Sequence, residues 1–99
     1  MKLKKITVWV VEDNDAMRTT YVELINSTPT MRCIGNYDAA EEAIEALSSQ
    51  EHPDVIVMDI ELPGMNGIEA VRRIKEKAPP INIIMQTVYE DNEKIFQSI

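Results

Sequence analysis

Apolar positions in this chain fall into two patterns. Some are short continuous runs, bounded by Pro, Gly, Asn or Asp. Others are spread at helical spacing through charged segments. The continuous runs read as strands: Ile6 to Val11, Met31 to Ile34, Val55 to Asp59 and Ile81 to Gln86. The third is apolar on both faces, as a central strand covered by helices on both sides should be. The second is short and less apolar, which suits an edge. Between them lie amphipathic segments. A first helix is expected from Asp15, taken as its N-cap, with an apolar stripe of Met17, Tyr21, Leu24 and Ile25 and a stop at Thr28-Pro29. Asp38, with Glu41 three residues on, predicts a capping box for a second helix that buries Ala40, Ala43, Ile44 and Leu47. A third helix starts near Asn66, buries Ile68, Val71 and Ile74, pairs Glu69 with Arg73 and ends at Ala78-Pro79-Pro80. Glu90 to Ile99 reads as a final helical segment.

Strands alternating with helices predict an α/β fold with a parallel sheet and right-handed crossovers. In such sheets ligands bind beyond the carboxyl ends of the strands, where the strand order reverses. Two of those ends are acidic. Glu12-Asp13 closes the first strand and Asp59 closes the third. If these strands are neighbours, as in the flavodoxin-like order 2-1-3-4, all three carboxylates converge.

Composition narrows the picture. At 99 residues and 44% hydrophobic, the chain makes one domain with a core of its own. A net charge of -7 argues against direct nucleic-acid binding, which needs clustered Lys and Arg. The one basic cluster, Lys2, Lys4 and Lys5, reads as a solvated lead-in to the first strand. Cys33 is the sole cysteine, so no intramolecular disulfide forms, and its apolar neighbours mark it as a core thiol. The sole histidine, His52, sits beside Pro53 in a loop and makes no catalytic pair with it. There is no membrane-spanning run and no signal-peptide pattern, so a cytoplasmic location without membrane contact is expected.

Three converging carboxylates repel unless a cation joins them or one of their pKa values rises. Hard oxygen ligands suit Mg²⁺. Asp59 is also a candidate nucleophile, since aspartate attacks phosphorus to form an aspartyl phosphate. Thr87 ends the fourth strand, where a hydroxyl would reach a phosphoryl oxygen on Asp59; it serves equally as a β-former closing the strand. Pro63, Gly64 and Gly67 shape the turn after Asp59 and hold the Glu61 carbonyl where it would reach a metal.

Val11-Glu12-Asp13-Asn14, the run from Met58 to Gly67, and Gln86-Thr87 resemble the receiver domain of bacterial two-component response regulators. The resemblance follows the chain in order and spacing. Arg18 and the stretch from Tyr37 to Ala43 resemble the subgroup with helix-turn-helix output domains. The resemblance implies that Asp59 is the phosphoacceptor for a histidine kinase. It implies that Asp13, Asp59 and the Glu61 carbonyl bind Mg²⁺ directly, with Glu12 acting through water. It also implies that Thr87 moves to the phosphoryl group on activation, and that Glu61 and Tyr89 flank the pocket, either tuning dephosphorylation or standing as exposed loop residues. The product would switch a DNA-binding output domain absent from this chain.

The chain also departs from that family's pattern. No residue before Ile99 matches its strand-end Lys, its aromatic switch residue, its fifth strand or its fifth helix, and Lys94 falls too early. The expected domain is therefore 1–99, receiver-like and incomplete at the C-terminus. Two other readings stay open. One is a Mg²⁺-dependent phosphohydrolase of the haloacid dehalogenase type, although that family has Asp where Glu61 stands. The other is a non-catalytic interaction module. An unpaired fourth strand, or the terminal helix with Ile95, Phe96 and Ile99, predicts self-association.

Overall fold

The structure is a computed structural model and describes residues 4–86. The chain runs β1 (Ile6–Val11), α1 (Asp15–Ser27), β2 (Met31–Tyr37), α2 (Ala40–Ala46), β3 (Val55–Asp59), α3 (Gly67–Lys77) and β4 (Asn82–Gln86). The strands form one sheet in the order β2-β1-β3-β4, and every neighbouring pair is parallel. This is the flavodoxin-like arrangement expected from the sequence. Parallel neighbours need a crossover, and each crossover here is a helix.

The helices divide between the two faces. Trp9, Val11, Ile56 and Met58 point to one face and pack with Ala40 and Ala43 of α2, with Leu47 at its C-cap, and with Ala70 and Ile74 of α3. Val8 and Val10 point to the other face and pack with Ile25 and the half-buried Tyr21 and Val22 of α1. Small residues at 40, 43 and 70 let α2 and α3 approach the sheet closely. No helix among the described residues is long and apolar enough to cross a membrane.

Several local expectations are corrected. Asn14, not Asp15, is the N-cap of α1; its side chain accepts the Met17 N–H, and Asp15 is the first helical residue. Leu24 is 64% exposed rather than part of the buried stripe. The buried side of α1 centres on Tyr21, Val22 and Ile25, and Leu24 lies roughly 100° round the helix from that centre. Ile68 is 78% exposed for the same reason, because Gly67, Ala70 and Ile74 define the inner face of α3. Helix α2 has no side-chain cap. Its N-cap is Ala39, and Asp38 lies one residue too early for a capping box with Glu41. Strand β2 runs three residues beyond Ile34, and β4 begins at Asn82. On β3 only Ile56 and Met58 are fully enclosed; Val55 and Val57, on the α1 side, are half-buried. The expected terminal helix lies outside the described residues, so the self-association expected through it does too. Within them β4 is one of the two edge strands, β2 being the other, and Ile84 is 55% exposed.

The pairing of β1 with β2 slips by one residue between Val8 and Trp9, so Trp9 lies opposite Gly35. The indole of Trp9 is fully buried and meets Tyr37 edge-on, with ring centroids 5.0 Å apart. A Cβ at position 35 would lie 2.8 Å from the indole nitrogen, closer than packed atoms sit. Gly35→Ala is therefore expected to destabilise the fold by about 1–3 kcal/mol through overpacking. Asn36→Ala, at the exposed neighbouring position, should cost no more than about 0.5 kcal/mol. Denaturant midpoints at constant slope measure both, and equal midpoints would refute the steric account.

Candidate functional site

In the β1–β3 ladder Val11 lies opposite Met58. One residue further along each strand come Glu12 and Asp59, so the pairing itself places their carboxylates side by side. Asp13 follows Glu12 in the turn to α1. One oxygen from each of Glu12, Asp13 and Asp59 lies within 4.8 Å of the others. Glu12 is 4% exposed, Asp59 is half-buried and Asp13 is open to solvent.

The turn that carries Glu12 and Asp13 is tied at several points. The Glu12 N–H donates to the Tyr37 carbonyl at 3.0 Å. Its Oε2 accepts the Asn14 N–H at 3.0 Å. Asn14 Oδ1 then caps α1 through the Met17 N–H at 2.9 Å. Arg18 Nη1 donates to the Glu12 carbonyl at 2.8 Å, and its Nη2 donates to Asp15 Oδ1 at 2.6 Å.

The Asp59 side is held differently. Its Oδ1 accepts the Glu61 N–H at 3.0 Å, which fixes the side chain against the loop it begins. The Ile60 N–H donates to the Gln86 carbonyl at 2.8 Å and extends the β3–β4 ladder one step past Asp59. In Leu62-Pro63-Gly64-Met65, Leu62 is buried and Gly64 has φ +78°. Proline followed by a left-handed residue is the signature of a type II turn, and glycine takes that conformation without strain. Asn66 closes the loop by capping α3 through the Glu69 N–H at 3.0 Å.

The charges are poorly matched. Burial pushes the Glu12 carboxyl up to about 7; the Asn14 N–H opposes the rise, and Asp13 and Asp59 add to it. The Tyr21 hydroxyl is also raised, first by burial and then by the charges of Glu12 and Asp59. Its ring belongs to the α1 core cluster, so the stripe expectation placed Tyr21 correctly and missed its polar end.

Of the residues singled out in the sequence, Glu12, Asp13 and Asp59 come together. Glu61 is exposed on the adjoining loop, with its N–H on Asp59. Thr87 and Tyr89 lie outside the described residues. Asn14, Tyr21 and Arg18 were all noted in the sequence, but not the roles they take here: Asn14 as the N-cap that also ties Glu12, Tyr21 with its hydroxyl near the acids, and Arg18 as a clamp on the Glu12 carbonyl. The spacing of Asp15 and Arg18, three apart on a helix, was the legible signal for that clamp.

The raised Glu12 pKa sets a sign for pH dependence. A carboxyl that ionises near 4.5 unfolded and near 7 folded binds more protons in the folded state between those values. Metal-free stability should therefore fall as pH rises from about 4.5 to about 7, by on the order of 2 kcal/mol, and level off above. Glu12→Gln should remove most of that fall, and Mg²⁺ should offset it in the wild type. Urea unfolding at a series of pH values in chelator reads this; a stability that rises through this window, or one unaffected by Glu12→Gln, contradicts it.

Comparison with known proteins places the site in a family. The family model for the response regulator receiver domain matches residues 8–99. The protein-glutamate methylesterase/protein-glutamine glutaminase of Thermotoga maritima is 40% identical over 94 residues, covering 91% of this chain and 26% of that protein. Response regulator GacA of Pseudomonas aeruginosa is 32% identical over 87 residues, covering 88% of this chain and 40% of its own length. The chain thus spans between about a quarter and two-fifths of these two relatives. Among solved structures, the response regulator domain of Thermotoga maritima CheB superposes with a TM-score of 0.76 at 38% identity, covering 93% of this chain and 69% of that one. The NarL receiver domain of Mycobacterium tuberculosis, at 21% identity and a TM-score of 0.80, shares the fold. With β1 and β3 delivering their acids to one point and the family model matching from Val8 onward, this chain belongs to the response regulator receiver domains, a family of phosphoacceptor signalling modules.

Proposed function

We propose that the chain accepts a phosphoryl group on Asp59 from a phosphohistidine of a histidine kinase, with Mg²⁺ bound at Glu12, Asp13 and Asp59. One observation carries this reading: three carboxylates from adjacent parallel strand ends lie within 4.8 Å of one another, an arrangement that is electrostatically costly without a cation. The donor set fits Mg²⁺, since every side-chain ligand is a hard oxygen.

Asp13, Asp59 and the Glu61 carbonyl would hold the ion directly, and Glu12 would act through water. When bound, the cation neutralises charge on the phosphoryl oxygens. The chain's own residues do the positioning. The Glu61 N–H holds one oxygen of Asp59 and sets the orientation of the carboxylate. A carboxylate oxygen of Asp59 attacks phosphorus and forms the acyl phosphate. The phosphorus–nitrogen bond of the donor breaks, and its electron pair returns to the imidazole. Thr87 serves as the hydroxyl that senses the phosphoryl oxygen.

The phosphorylation state then governs another domain, in keeping with the greater length of the curated relatives. One of those relatives is named as a methylesterase and another as a response regulator, so an enzymatic output stands beside the DNA-binding output expected from the sequence. A cytoplasmic setting follows from a kinase partner of this type.

The test is incubation with a small phosphodonor, read by intact mass. A gain of one phosphoryl group is expected in Mg²⁺, none in chelator and none in Asp59→Asn. Asp13→Ala should slow the gain by about tenfold or more through loss of a metal ligand. Modification of Asp59→Asn at the wild-type rate, or equal labelling in chelator, would overturn the assignment.

A further inference from the structure

Arg18 is the feature of this site that the proposed chemistry leaves unused. It is a cation beside three acids, yet it pairs with none of them. Its side chain is 18% exposed. Of the two terminal nitrogens, Nη1 is bonded to the backbone carbonyl of Glu12 at 2.8 Å and Nη2 to Asp15 at 2.6 Å.

We propose that Arg18 is the positioning residue of the metal-binding turn: by holding the Glu12 carbonyl from α1, it sets the orientation of the Asp13 carboxylate. The proposal rests on the metal-binding reading above. A peptide unit is planar, so the Glu12 carbonyl and the Asp13 N–H share one rigid plane. Fixing that carbonyl fixes the direction in which the chain enters Asp13. The other ties on this turn act elsewhere. Tyr37 holds the Glu12 N–H, and the Asn14 N–H holds the Glu12 carboxylate. The clamp from Arg18 acts on the peptide that joins the two acids. Asp15 anchors the guanidinium from its other side, as part of the same helical turn.

Two effects of Arg18 on a divalent cation have opposite signs. Its positive charge near the site repels Mg²⁺. Its clamp prepares the ligands, as groups that orient metal ligands from behind commonly do, with losses of about tenfold or more on removal. A residue acting only through its charge would tighten Mg²⁺ binding when removed. A positioning residue would loosen it. A residue with a merely structural role would lower the stability of the metal-free chain and leave the affinity of the folded chain unchanged.

The experiment is calorimetric titration of MgCl₂ into the 99-residue chain as wild type, Arg18→Ala and Arg18→Lys, with unfolding of each measured separately in chelator. Arg18→Ala is expected to weaken Mg²⁺ binding by about tenfold. Arg18→Lys keeps the charge and loses the planar fork that spans both acceptors, so it should weaken binding by about threefold or more. If Arg18→Ala does not fold, Arg18→Lys decides on the same criterion. Wild-type binding with unchanged or tighter binding in the folded variants overturns the positioning role and leaves the metal site standing. No Mg²⁺ binding by the wild type overturns the metal reading and this inference with it.

Discussion

The parallel pairing of β1 with β3 is the constraint on which the site depends. The two strands run in register from Val8–Val55 to Val11–Met58, and the next residue along each is Glu12 or Asp59. Glu12 and Asp59 are then neighbours by geometry alone, and Asp13 follows in the turn. Burial on both faces sets that register, because Val10, Val11, Ile56 and Met58 are all enclosed by helices. A slip of one residue would turn every one of these side chains to the wrong face. Apolar packing thus pays for holding three acids together.

The surroundings soften that repulsion without cancelling it. Backbone N–H groups reach the carboxylates of Glu12 and Asp59, and the cap at Asn14 turns the chain away into α1. Arg18 is spent on a carbonyl and on Asp15. Among the described residues no cation pairs with the three carboxylates, and burial holds Glu12 well above the usual carboxylate range. The proposed divalent ion would answer both deficits, supplying charge where the oxygens converge.

Much of this was legible in the sequence, for physical reasons. The limits of β1 and β3 stand out because a continuous apolar run ends abruptly in a carboxylate, and nothing in a core would place one there. The turn after Asp59 was legible because Pro63-Gly64 has one strongly preferred geometry. Caps were harder to read. Asn14 and Asp15 are both good capping residues, and only the backbone conformation chooses Asn14. Ile68 was misjudged because the inner face of α3 is built partly from Gly67 and Ala70, which carry little hydropathy signal, and Leu24 because the buried stripe of α1 is narrow and turns toward Val22 instead. The length of β2 was hidden because its last carbonyl, on Tyr37, is held by the Glu12 N–H, a tertiary bond. The slip opposite Trp9 was hidden too, since it reflects the fit of an indole against Gly35.

The central claim is that Glu12, Asp13 and Asp59 form one divalent-cation site. Paramagnetic broadening of amide NMR signals by trace Mn²⁺ tests it most directly, since the effect falls off steeply with distance from the ion. The account predicts that the amides of residues 12–14 and 59–61 broaden first and recover when Mg²⁺ is added in excess. Broadening centred on other surface acids such as Asp38 and Glu42, or broadening that Mg²⁺ does not reverse, would contradict it.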